Sequence, residues 1–264
     1  MDVIHFPEDP RPSRWVHPVL ALGNFDGLHR GHLKIIERVR RGAAEHGGTP
    51  MAMTFDPHPP RVLRPDQAPP LLMTTAQRLE AFERAGVAYP PGEVALLVFK
   101  DTRALEVYAR DSNADDWRHV TSYGVCGASG KPGPKLAEGD RQVPEGIYGI
   151  ELLNPASRFH LSLRLDYPNA FDRRMGAADG RVNLGSDIMI HGGAFSVGCL
   201  AMGDDVAEDL FILAARTGKE NMRVVIAPTD FRQEQPRKIM YEPRWVSMLY
   251  ANLSEELARF PRMA

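Results

Sequence analysis

Cysteine is scarce in this chain: Cys126 and Cys199 are the two among 264 residues. That excludes a disulfide framework, so each reads either as a small buried residue or as a reactive thiol. Long apolar runs are missing as well, none approaching the ~18 consecutive residues of a membrane-spanning helix. The amino terminus, MDVIHFPEDPRPSRW, has acidic residues and prolines where a secretory signal needs an unbroken apolar core, which predicts that the chain stays in the cytoplasm. Nor does charge of one sign dominate. With 32 Lys and Arg against 34 Asp and Glu, the formal charge of -2 leaves no basic footprint for nucleic acid. An apolar share of 43% and a charged share of 25% exclude a disordered or collagen-like chain.

What is present falls into two textures. Pro18 to Leu22 is a short apolar run suited to a buried strand, followed by the turn Gly23-Asn24-Phe25-Asp26-Gly27. Leu33, Ile36, Val39 and Ala43 then keep a helical spacing that Gly47-Gly48 stops. Met51 to Phe55 reads as a second strand, Pro57 to Pro70 as proline-rich loop, and Thr75 to Arg84 as a helix ending at Gly86. These form a βαβα fragment over residues 1–87. Beyond Tyr89-Pro90-Pro91-Gly92 the pattern turns to short strands: 94–99, 104–108, 117–123, 147–153, 159–165, 187–190 and 222–227. One helix interrupts them near Asp205 to Arg216, with Asp204 as N-cap and Gly218 as stop. A last one, Arg244 to Phe260, carries an apolar stripe of Trp245, Met248, Leu249, Leu253, Leu257 and Phe260. Its other face is not basic, so it packs on the β domain rather than on a membrane. The expected class is α+β, a mainly-β domain over 88–264 preceded by a partial, Rossmann-like α/β fragment.

Chemistry concentrates in two places. In Ile188-Met189-Ile190-His191-Gly192-Gly193-Ala194-Phe195-Ser196-Val197-Gly198-Cys199, a histidine ends an apolar strand and a cysteine follows eight residues on. A thiol needs a neighbouring base to become a nucleophile, and His191 is the candidate. The amides of Gly198 and Cys199 could face a developing oxyanion. Equally, His191 could be a satisfied strand-end histidine and Cys199 a core residue. The segment resembles the L,D-transpeptidase catalytic domain family (YkuD-type), whose signature is a strand ending in His-Gly and then Ser-x-Gly-Cys. Here these are His191-Gly192 and Ser196-Val197-Gly198-Cys199. The segments Ser129-Gly130-Lys131 to Lys135, Gly139 to Tyr148, Asn154 to Leu161 and Tyr167 to Arg173 resemble the murein L,D-transpeptidase subgroup, so that the likeness covers about 89–260.

That resemblance implies a cysteine acyltransferase that needs no metal or cofactor. Cys199 would attack the L,D peptide bond of a peptidoglycan tetrapeptide stem, with His191 as base and the Gly192 carbonyl orienting its imidazole. Gly198 and Ser196 would shape the oxyanion site, though Ser196 also suits an ordinary turn. His160, Arg158 and Arg141 are candidate contacts for the stem peptide, each with a structural or merely solvated alternative. Cys126 is read as structural.

The second place is Gly23 to His32, where His29 and His32 form an HxGH motif between strand and helix. Two histidines at a helix amino end suit the triphosphate of ATP. With Thr54 to Pro59 and Leu72 to Thr75, this segment resembles the start of the bacterial bifunctional riboflavin kinase and FMN adenylyltransferase, the FAD synthetase family. The resemblance implies that His29 and His32 touch the ATP phosphates, that Asn24 and Asp26 shape the turn, and that magnesium takes part. It stops near Val87, so that half of the pocket is missing and turnover is not expected. Three functions are therefore weighed: a peptidoglycan L,D-transpeptidase, which is favoured, an FMN adenylyltransferase, and an inactive fusion of the two. The transpeptidase family works in the cell envelope, against the cytoplasmic reading of the amino terminus.

Overall fold

A computed structural model describes residues 10–22, 30–53, 75–113, 115–234 and 243–262. The chain forms two compact units, Met1–Pro69 and Pro70–Ala264. In the first, strand β1 (Val19–Leu22) pairs in parallel with β2 (Pro50–Met53), with Val19 opposite Pro50, and helix α1 (Arg30–Glu45) joins them. Parallel neighbours need such a crossover, so the described part of this unit is one βαβ. The expected stop is there: Gly47 has a φ of 58°, and the Gly48 amide reaches back to the Ala43 carbonyl at 2.7 Å.

The second unit begins with helix α2 (Thr75–Ala85), which the sequence reading assigned to the amino-terminal fragment. Phe82 and Val87 lie buried in the second unit's core. Its strands are β3 (Glu93–Phe99), β4 (Ala104–Arg110), β5 (Arg118–Gly124), β6 (Gly127–Ala128), β7 (Gly146–Ser157), β8 (His160–Leu165), β9 (Met189–His191), β10 (Leu200–Ala201) and β11 (Met222–Ala227). They form one mixed sheet in the order β5-β4-β3-β11-β7-β8-β9-β10-β6. The β3–β11 and β9–β10 pairs are parallel and the rest antiparallel. Among the described residues the unit also holds helices α3 (Ala170–Ala178), α4 (Asp204–Thr217) and α5 (Val246–Leu257).

Side-chain alternation explains why β3 is apolar throughout. Val94, Leu96 and Val98 face one core with Val206, Leu210 and Leu213 of α4, whereas Ala95, Leu97 and Phe99 face a second with Leu249, Leu253 and Leu257 of α5. A strand covered on both faces needs no polar positions. The stripe predicted for the last helix is thus a core stripe, except that Met248 is exposed. Among the described residues, no helix is long and apolar enough to cross a membrane.

Two buried polar networks pin the loops. Lys100 Nζ donates to Gly133 O at 2.9 Å, Val143 O at 3.0 Å and Glu145 Oε1 at 2.9 Å. Glu145 Oε2 accepts from the Tyr250 hydroxyl of α5 at 2.9 Å. All three ammonium protons are used, and the loop before β7 is fixed to the core. Arg232 joins Glu106 Oε2 at 2.8 Å, Asp230 Oδ1 at 2.8 Å and the Tyr108 hydroxyl at 3.0 Å, and that hydroxyl donates to Pro261 O at 2.7 Å.

Candidate active site

Strand register decides which face carries the chemistry. Ser162, Leu163 and Arg164 of β8 lie opposite His191, Ile190 and Met189 of β9, and Ile190 and His191 lie beside Leu200 and Ala201 of β10. Leu163, Ile190 and Leu200 all enter the first core. By the two-residue period, Ser162, Met189, His191 and Cys199 point to the opposite face. Cys199, next to Met189 by register, and His191, next to Ala201, are therefore same-face neighbours two sheet positions apart. An eight-residue gap in the sequence has become a diagonal pair.

Backbone atoms orient the histidine. His191 Nδ1 lies 2.6 Å from the Gly192 carbonyl oxygen, which can only accept, so Nδ1 carries the proton. In the neutral ring Nε2 is then the acceptor, and it lies 3.4 Å from Ser196 Oγ. The Phe159 ring, from the β7–β8 turn, covers the imidazole at a centroid distance of 4.6 Å and an angle of 34°. Gly192 is glycine for lack of room: a Cβ there would come within 2.5 Å of Asp204 Oδ1 and 2.7 Å of the Phe159 carbonyl oxygen.

The thiol is half-buried. Its S–H donates to Asp187 O and the sulfur accepts from Met189 N, both at 3.4 Å, and no hydrogen bond joins it to His191. Burial holds the imidazole below its ordinary pKa, the Gly192 carbonyl opposing this more weakly. Burial likewise pushes the thiol up, against smaller lowering by the Met189 amide and the Ser196 hydroxyl. Near neutral pH these directions leave the thiol protonated and the imidazole neutral.

Against known proteins, residues 12–101 match the FAD synthetase family model. YafK of Escherichia coli strain K12, which carries an L,D-transpeptidase name, is 30% identical over 160 residues, 58% of this chain and 62% of that protein. The bifunctional riboflavin kinase/FMN adenylyltransferase of Bacillus subtilis strain 168 is 44% identical over 69 residues, 26% of this chain and 22% of that enzyme. Among solved structures, the helical cell shape determining protein Pgp2 from Campylobacter jejuni matches with a TM-score of 0.41 at 18% identity, covering 64% of this chain and 70% of that one. The chain thus spans less than two thirds of each of the two curated relatives.

The other predicted residues are placed as follows. The amides of Gly198 and Cys199 already have acceptors, Ser129 Oγ at 2.8 Å and Ser196 Oγ at 3.0 Å, so neither is open to an oxyanion in this structure. His160, at a φ of 71°, pairs with Glu208 Oε1 at 2.5 Å. Arg141 is exposed and acts through its carbonyl, which accepts from Ser129 Oγ at 2.7 Å. Arg158 is exposed in the turn before Phe159. Cys126 is exposed too. Asn24, Asp26 and His29 lie outside the described residues, and of His32 only the backbone is described, in α1. The expected N-cap, Asp204, is a correction: Gly203 holds that position, because the Asp204 carboxylate accepts from the Gly193 amide at 2.7 Å and braces the His-Gly turn instead. Sequence reasoning missed this brace, the Phe159 cover, and Ser129 as acceptor for the amide before the thiol. Ser162, directly across from His191, is fully buried with its hydroxyl unpartnered among the described residues.

Proposed function

We propose that the chain is a cysteine acyltransferase of the L,D-transpeptidase kind, acting on peptidoglycan tetrapeptide stems through an acyl group on Cys199. One observation carries this reading: the Gly192 carbonyl fixes the tautomer of His191 so that Nε2 is the free base on the face of the thiol. The 30% identity to YafK supports it.

In the reaction so read, the thiol proton passes to His191 Nε2 as sulfur attacks the peptide carbonyl. The C–N bond then breaks, the released D-alanine amine takes the proton, and a thioester remains. The Gly198 and Cys199 amides can serve the oxyanion only after the Ser129 and Ser196 hydroxyls rotate away, so the carbonyl oxygen of the substrate replaces two serine oxygens. Exposed Arg158 and Arg141, and His160, remain candidate contacts for stem carboxylates. Intact mass after incubation with a tetrapeptide muropeptide or a carbapenem tests the reading. A single adduct that Cys199→Ala abolishes is the expected result, and no adduct would refute it.

A second reading applies to the first unit, which holds most of the residues in the family match over 12–101; the rest of the match runs into α2 and β3 of the second unit. We infer that its βαβ is a portion of a nucleotidyltransferase fold, with His29 and His32 as candidate contacts for the phosphates of ATP. The match to the Bacillus subtilis enzyme covers 22% of that enzyme's length, too little for both walls of a nucleotide site. No FAD is expected from FMN, ATP and magnesium, and His29-dependent FAD detected by chromatography would contradict this.

A further inference from the structure

On the reading proposed above, an acyl group on Cys199 can be resolved by water or by an amine, and one aromatic ring lies on the histidine read as the base of that step. Phe159 lies against the face of His191, yet 51% of it is exposed. Its backbone is held in place. Its amide donates to Ser157 Oγ at 3.1 Å, its carbonyl oxygen fills the space beside Gly192, and the next residue, His160, is tied to Glu208. The 192–198 loop adds Phe195, 89% exposed, and Val197, 69% exposed, on either side of the Ser196 whose hydroxyl meets Nε2. Of these, Phe159 is the exposed apolar side chain in contact with the histidine that is read as the base.

We propose, on the reading of Cys199 as the acylated residue, that Phe159 is a specificity residue that favours an amine carried on an aliphatic chain over water as the acyl acceptor. In the resolving step the amine nitrogen bonds to the thioester carbonyl carbon, the C–S bond breaks, and sulfur leaves with the electron pair. The surplus amine proton goes to His191 Nε2 and from there to the sulfur, which restores thiol and neutral base. Water follows the same course with oxygen. The difference lies in approach: water gains nothing from an apolar wall, whereas methylenes next to the reacting nitrogen are desolvated on the Phe159 ring.

The test separates acceptor choice from folding and from acylation rate. Full-length protein is acylated with a tetrapeptide muropeptide, freed of donor, and given methylamine, ethylamine, n-propylamine or n-butylamine, which are of similar basicity. The ratio of amide to free acid is read by chromatography. In the unaltered protein the ratio should climb by up to about fourfold per methylene, the factor for burying one CH2. Phe159→Ala should flatten the series and Phe159→Leu should restore most of it. Phe159 sits half-exposed on a turn, so both variants should fold. Equal slopes for the unaltered protein and Phe159→Ala, or a flat series in the unaltered protein, would overturn the proposal while leaving the acyltransferase reading intact. Failure of Cys199 to take any adduct would overturn that reading, and the role of Phe159 with it.

Discussion

Arg232 and Glu106, each with a side chain under a tenth exposed, face one another at 2.8 Å, and Tyr108, Asp230 and Pro261 accept or donate around them. Across the same sheet, His191 is also buried and Cys199 half-buried, but Nε2 and Sγ have only contacts of 3.4 Å. The first network is charged and saturated, and the second pair is neutral and left short of strong partners. A buried charge without full pairing costs several kcal/mol, so a structural network must saturate. If His191 and Cys199 react as proposed, they gain by the reverse, because every strong ground-state bond to the thiol or to Nε2 would have to break in the transition state. On the proposed reading, the backbone orients the histidine through Nδ1 and leaves Nε2 for the reaction.

The comparison breaks most sharply at the pair itself. Cys199→Ala should abolish covalent acylation, and His191→Ala should slow it by on the order of 10² or more, the scale of general-base catalysis, in single-turnover mass measurements. Arg232→Met should do the opposite. It leaves the Glu106 carboxylate buried and uncompensated, and should lower unfolding free energy by about 3–5 kcal/mol in denaturant titration. The protein that remains folded should acylate at the original rate. Equal loss of acylation per folded molecule in both variants would remove the distinction between the two regions.

Much of this second unit could be read from the sequence. β3 and β11 announced themselves as apolar runs, and His-Gly followed by Ser-x-Gly-Cys pointed to the candidate site that the strand register then assembled. β6 and β10 did not, since two residues each, Gly127–Ala128 and Leu200–Ala201, cannot display an alternation. Helix α3 was missed although Asn169 and Asp172 form a capping box three residues apart, a signature that can be found in sequence. The Phe159 stack, the Asp204 brace and the Ser129 acceptor were out of reach for another reason. Each depends on a contact between segments distant along the chain, and no periodicity records such a contact.

Protonation sharpens the comparison at a smaller scale. If thiol and imidazole are both neutral, alkylation of Cys199 by iodoacetamide should rise about tenfold per pH unit through neutrality and level off only above the ordinary thiol value of about 8.5. A plateau already reached at pH 6 would reveal a preformed thiolate–imidazolium pair. The acidic limb of the acylation rate should fall below pH 6.5, since His191 is held under its ordinary value and must be neutral to accept a proton.

The smallest effect concerns Asp172, which combines the two styles. Its carboxylate closes the capping box of α3 by accepting from the Asn169 amide at 3.0 Å, as a structural group should, yet among the described residues it forms no direct ion pair, Arg181 acting only from a distance. Burial raises its pKa to about 6, against lowering by the Asn169 amide. An acid whose folded value lies above its unfolded one binds a proton more tightly when folded, so it weakens the fold at pH values where it is ionised. Relief begins as pH falls through about 6 and is complete below the unfolded value of 3.8. Two units correspond to ~3 kcal/mol, and partial contact with solvent reduces this to about 2 kcal/mol or less. Asp172→Asn keeps an oxygen for the Asn169 amide and removes the charge. The variant should therefore be more stable than the unaltered protein at pH 7, with the advantage fading between pH 6 and pH 4. A stability difference that does not change over that interval would show that Asp172 is ionised in the fold without penalty.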